Sequence, residues 1–78
     1  MTLRLISAQE ILFDGEVTSV TLPGAKGEFT VLRNHASLLS TLTPGKIRYT
    51  DAVGAEHSSA ITGGIADIDS NIVTVCLY

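Results

Sequence analysis

Turn signals recur along this chain at intervals of roughly ten residues, a spacing that favours many short strands. Asp14-Gly15, Pro23-Gly24, Pro44-Gly45, Val53-Gly54, Gly63-Gly64 and Asp69-Ser70-Asn71 punctuate a sequence of only 78 residues. Each supplies a residue that takes a positive φ or fixes φ, which is what a reversal of the backbone requires. Between the breaks the pattern is β nearly throughout. Leu3 and Leu5 alternate with Thr2 and Arg4, Val20 and Leu22 alternate with Ser19 and Thr21, and Ile47 and Tyr49 alternate with Lys46, Arg48 and Thr50. Period-two alternation of this kind marks strands with one buried face. Ile11 to Phe13 read as a short run closed by Asp14-Gly15, and Pro23-Gly24 reads as the break that ends the Val20–Leu22 strand. His35 to Leu42 carries Leu38, Leu39 and Leu42 at helical spacing, but its three hydroxyl residues and the Thr43-Pro44-Gly45 stop favour a strand. The expected architecture is all-β: a flattened sandwich of about ten short strands in a single domain over residues 1–78, with no helical domain.

A chain this short buries only about 60% of the surface that its unfolded form exposes. Yet 45% of its residues are hydrophobic. Either the core is efficient or part of the apolar surface is covered by a partner, which points to a subunit. The lone cysteine, Cys76, cannot form an internal disulfide, which suits a reducing compartment. It lies in the apolar run Ile72 to Leu77 and is expected to be a buried small hydrophobe. Net charge is −3 and the five cations are scattered, which argues against nucleic acid. No apolar stretch reaches the 18 residues of a membrane span. The N-terminus lacks the apolar core and cleavage site of a signal peptide.

The densest chemistry lies between Leu22 and Lys46. Gly24-Ala25-Lys26-Gly27 is glycine-rich, but its spacing is wrong for a phosphate loop and a strand follows it. Lys26 on a loop tip resembles the modified lysine of a lipoyl- or biotinyl-type carrier domain, the alternative reading, although its Ala25 and Gly27 neighbours are not those of such domains. Glu28 and His35 could form a catalytic pair only with a nucleophile or metal beside them. Ser37 has no strained turn around it, and His57 holds no fixed spacing to His35 that would make a zinc site. So small a chain also has little room for a pocket of several hundred Å3. What remains is a shaped surface: Lys26 and Glu28 form one polar tip and Arg33-Asn34-His35 a second, both set on an apolar sandwich as a contact platform.

Six segments carry a family resemblance: Leu3 to Val17, Pro23 to Phe29, His35 to Leu39, Pro44 to Arg48, Gly63 to Ile65 and Asn71 to Val75. In this order and spacing, over almost the whole chain, they resemble the epsilon subunit of the F-type ATP synthase, called delta in mitochondria. The resemblance implies a non-catalytic sandwich at the foot of the central stalk, without cofactor, metal or small-molecule ligand. Its implied partners are the gamma subunit and the c subunits of the membrane rotor ring. It would couple ion flow to ATP synthesis as a peripheral part of the complex on the cytoplasmic face of a bacterial inner membrane. The implied ring contacts are Glu28 and His35, with Arg33 as an added cation beside the ring-facing loop. The implied gamma contacts are Ser7, Leu39 and Ser40. Two features depart from the family. Leu32-Arg33-Asn34-His35-Ala36-Ser37 stands where the family has a Pro-Gly-containing loop, and Asn34 is expected to take over the left-handed conformation there. The sequence also ends at Tyr78, where the family continues into an inhibitory helical hairpin. These residues are therefore expected to couple without regulating.

Overall fold

The computed structural model describes all 78 residues. Eight strands follow one another: β1 (Thr2–Ile6), β2 (Ile11–Gly24), β3 (Gly27–Leu32), β4 (Leu38–Leu42), β5 (Gly45–Asp51), β6 (Glu56–Ile61), β7 (Gly64–Asp69) and β8 (Ile72–Leu77). No helix is present, as the turn spacing requires. The pairings make two layers that share β2. Its first half pairs with β1, and β1 continues through β8 and β7 to β4. Its second half lies between β3 and β5, and β5 carries β6 at its far edge. The register of β2 shifts between Val17 and Ser19, where it leaves one sheet for the other, the bend that a β-bulge produces. At its far end a single pair, Gly24 with Leu42, joins the layers again.

Alternation then builds the core. Leu3, Leu5, Ala66, Ile68, Val73, Val75 and Leu42 face inward from the first sheet, and Val17, Val20, Leu22, Val31, Ile47 and Ile61 from the second. No polar side chain is buried, and no buried side-chain nitrogen or oxygen lacks a hydrogen-bond partner.

Four expectations change. There are eight strands rather than about ten, because Asp14-Gly15 is not a turn. Both residues pair with β1, at Arg4 and Leu3. Gly15 also lies close to a neighbour: a Cβ there would be 3.2 Å from the tip of the Phe13 ring, two residues away on the same face, and the ring would have to give by a few tenths of an ångström. Likewise Pro23 and Gly24 stay in β2 and pair with Glu28 and Gly27, so the reversal falls at Ala25-Lys26. The strand read from His35 begins only at Leu38; His35 to Ser37 belong to the loop before it. Finally, Cys76 is exposed. Val73 and Val75 take the inner positions of β8, and period two places Cys76 outside. Asn34 does adopt φ 64° and Asn71 φ 63°. The two are joined by reciprocal bonds: the Asn34 amide donates to Asn71 Oδ1 (2.6 Å) and Asn71 Nδ2 donates to Asn34 Oδ1 (3.1 Å). This pins the β3–β4 loop to the β7–β8 turn.

Candidate functional site

The two outer faces differ sharply. On the second sheet, Ser19, Thr21, Thr30, Thr50 and Ser58 make a hydroxyl-rich surface. Thr21 and Thr30 share a 2.9 Å bond, and Arg48 Nη2 donates to Glu28 Oε1 at 2.9 Å. A shallow hollow of about 290 Å3 opens over it. Next to it, Asp51 organises the β5–β6 turn. Its Oδ1 accepts from the Val53 and Ala55 amides (3.0 and 2.9 Å), and its Oδ2 meets His57 Nε2 at 2.8 Å. The His57 bond and then the Ala55 amide hold the Asp51 carboxyl below the usual carboxylate range. His57 stacks on Tyr49 (5.0 Å between ring centres), which in turn packs against Phe13 at 4.6 Å. Burial raises the Tyr49 phenol above its ordinary pKa.

The first sheet is different. Register places Thr41 opposite Ile65, Ile65 opposite Cys76, Cys76 opposite Ile6, and Ile6 opposite Ile11. Each lies on the outer side of its strand, so one row crosses all five strands, apolar on β7, β8, β1 and β2 and closed by Thr41 on β4. At roughly 4.8 Å per strand the row is about 19 Å long. Ile11, Leu12 and Ile65 in or beside it are exposed, and Leu39, two residues before Thr41 and level with Asp67, is 71% exposed. Below the row come Asp67, Thr74, Arg4 and Asp14, with Arg4 Nε 3.7 Å from Asp14 Oδ2. A continuous exposed apolar stripe with a polar border marks a docking surface.

The residues implied as gamma contacts fall around this row. Ser7 follows Ile6 at one end; its Oγ accepts from the Gln9 and Glu10 amides (3.4 and 3.3 Å) and closes the β1–β2 turn. Leu39 lies on β4 one register line below the row, level with Asp67. Ser40 is half-buried on the opposite side of β4, opposite Ala66, and donates to the Thr41 carbonyl at 3.2 Å. It lines a groove of about 510 Å3 between β4 and the β2–β3 hairpin, together with Phe29, Leu38 and Leu39.

The three ring residues are not brought together. Glu28 sits beside the Ala25-Lys26 turn and is held by Arg48, whereas Arg33 and His35 follow the far end of β3. Five residues of strand put Glu28 and Arg33 roughly 16 Å apart, in a molecule whose longest extent is 27 Å. The two polar tips therefore belong to opposite ends of the sandwich and make no single platform. Arg33 faces Glu16 and Met1 across a separate hollow. His35 Nδ1 is 2.6 Å from the Ala36 carbonyl, so its ring braces the loop, and it has no contact with Glu28 that would make a pair.

The apolar row was missed by reading the sequence, since its members come from five strands and only register aligns them. The one local signal is that β8 is apolar on both faces: Val73 and Val75 on one, Ile72 and Cys76 on the other.

The class the fold defines is a two-layer β-sandwich with one apolar and one polar outer face. The chain belongs to the family described as the ATP synthase, Delta/Epsilon chain, beta-sandwich domain, whose model matches residues 1–77. It is 41% identical to the ATP synthase epsilon chain of Wolinella succinogenes over 75 residues, 96% of this chain and 57% of that one. To the ATP synthase epsilon chain of Bordetella petrii it is 39% identical over 71 residues, 91% of this chain and 50% of that one. The chain thus spans about half the length of the curated relatives it matches. Among solved structures, it superposes with a TM-score of 0.89 and 26% identity on a chain of the Euglena gracilis mitochondrial ATP synthase (OSCP/F1/c-ring in rotational state 1), covering 96% of this chain and 48% of that one. A chain of the Tetrahymena thermophila mitochondrial ATP synthase central stalk and c-ring gives 0.80 at 17% identity, over 99% of this chain and 62% of that one, which shows the shared fold. The family membership leaves Lys26 as an exposed hairpin residue and sets the carrier reading aside.

Proposed function

We propose that this sandwich is the stalk-binding part of an ATP synthase epsilon-type subunit. It is a non-catalytic rotor element that grips a gamma-type subunit and meets the polar loops of the membrane ring, so that ion-driven rotation is passed to the catalytic head. The observation that carries this reading is the apolar row from Ile65 to Ile11 across the first sheet. It is too continuous to be chance exposure, and it explains an apolar content that 13 core residues do not use up. Supporting it are the family match and the short connections, which make a body able to carry torque without yielding. The gamma face is then the outer side of the first sheet, flanked by Ser7 and Leu39. The ring contact falls to one end only, and the β2–β3 hairpin with Lys26 and Glu28 is our choice; Arg33 and His35 lie at the other. In the assembled complex the subunit is peripheral, on the cytoplasmic face of a bacterial inner membrane.

Co-purification with the gamma and c subunits of its own complex tests this. We expect a stable gamma complex that Ile65→Asp disrupts while leaving the melting curve in place, since Ile65 is 43% exposed. A folded Ile65→Asp chain that binds gamma as wild type does would refute the assignment of the face.

A further inference from the structure

We infer that the free edge of β4 receives an extended segment of the stalk partner, which adds a strand in the groove between β4 and the β2–β3 hairpin. This rests on the proposed function and sharpens it.

Backbone parity comes first. The Thr41 carbonyl accepts from the Ala25 amide (2.9 Å), and the Thr43 amide donates to the Pro23 carbonyl (2.9 Å). The odd-numbered residues of β4 therefore turn their backbone groups away from β7. Alternation along an antiparallel strand puts the N–H and C=O of Leu39 on that same side. There β4 has no partner beyond the single Gly24–Leu42 pair, and β3 across the groove is bonded to β2 only. The two sheets are joined at Gly24 and part from there, leaving a groove of about 510 Å3 between two strand edges. Unpaired, in-line N–H and C=O groups are complementary to another strand and to little else.

Side chains say the same. The outermost strand of the second sheet, β6, is guarded by Glu56, His57 and two serines, as exposed edges usually are. β4 itself carries no charge, and the charges at this groove, Lys26 and Glu28, belong to the facing hairpin. The β4 edge presents Leu38 and Leu39, with Phe29 at the groove floor. Such an edge fits one that is covered in the working assembly. Two features define the occupant. Alternate side chains of the incoming strand must be apolar, to meet Phe29 and Leu38. A carboxylate must come near Lys26, which makes no ion pair while Glu28 beside it is already held by Arg48. The groove also adjoins the row, because Thr41 lines the groove and stands at the row's end. One partner lying on the row can pass a segment over this edge without a gap.

The test follows amide hydrogen exchange in the full chain, alone and bound to the purified gamma subunit, together with the affinities of Leu39→Ala and Leu39→Pro. Both variants lose the leucine side chain, but only proline loses the outward N–H, and the ladder to β7 uses the even-numbered residues. A backbone hydrogen bond contributes about 1 kcal/mol, so the proline variant should bind gamma about fivefold more weakly than the alanine variant. The Leu39 amide should be protected by gamma in the wild type, a readout that stands even if the proline variant fails to fold. Gamma binding with Leu39 unprotected would overturn the added strand and leave the proposed function intact. No gamma binding at all would sink both. Protection of Leu39 that grows with the chain's own concentration, without gamma, would overturn the inference in favour of a second copy of this chain.

Discussion

Leu39→Ala is a clean perturbation because the side chain does little inside the folded chain. Leu39 lies on the outer side of β4 opposite Asp67 and keeps 71% of its surface exposed. Complete burial of a leucine side chain is worth roughly 1.5–3 kcal/mol. Folding has already gained the smaller share, and a covering partner gains the rest, about 1–2 kcal/mol on the same scale. Truncation should therefore weaken gamma binding by roughly 5- to 30-fold, while costing the isolated fold under about 1 kcal/mol. Titration calorimetry against the gamma subunit measures the first quantity, and thermal or urea unfolding of the chain alone the second. The asymmetry is the content of the prediction. If stability falls by several kcal/mol while affinity is unchanged, Leu39 is a packing residue and its place on the docking surface is wrong. If both are unchanged, no partner covers this part of β4.

Gly64→Ala should damage the fold rather than the surface. A Cβ at Gly64 would stand 2.5 Å from the Cys76 carbonyl oxygen and 3.2 Å from Leu77 Cα, both backbone atoms that cannot swing away. Overpacking of this kind costs roughly 1–3 kcal/mol, a fall in Tm on the order of 5–20 °C for a domain this size; a Tm within a degree of wild type would refute the close approach. The Asp51 carboxylate should support the acid limb of stability. Its folded pKa lies below its unfolded one, held there by His57 and then by the turn amides. Its contribution is therefore present above the usual carboxylate pKa and lost as pH falls through and below it. In melts from about pH 2 to 7, Asp51→Asn should lie below wild type near neutrality and the gap should close below about pH 4. A gap that stays constant with pH would remove the charge from the explanation.

Much of the fold was legible, because alternation fixes which side of a strand is buried. Leu3 and Leu5, Val20 and Leu22, and Ile47 fall inside as their spacing requires. Asn34 takes the left-handed conformation that its side chain tolerates. Asp14-Gly15 misled because a glycine need not turn: both residues pair with β1, which only the register reveals. Cys76 misled because an apolar run looks buried when one of its two faces instead points to solvent. The site was less legible still. Ser7 falls beside Ile6 and Leu39 one register line below the row, level with Asp67, but the row itself, Ile65, Cys76, Ile6 and Ile11, depends on register among strands far apart in sequence. Glu28 and Arg33 are close in sequence, yet an intervening strand holds them apart.

Cys76 offers the most direct test of the central claim. It is the chain's only cysteine, it is exposed, and it sits between Ile65 and Ile6 in the middle of the apolar row. The measurement is the rate of its alkylation by a maleimide, in the free chain and in the complex with the gamma subunit, with no substitution introduced. The account predicts ready labelling of the free chain and a rate that falls by more than about tenfold when gamma is bound, because a partner on the row shuts the thiol away from solvent. Equal rates in the free and the bound chain would mean that gamma docks elsewhere and that the row across the first sheet is not its seat.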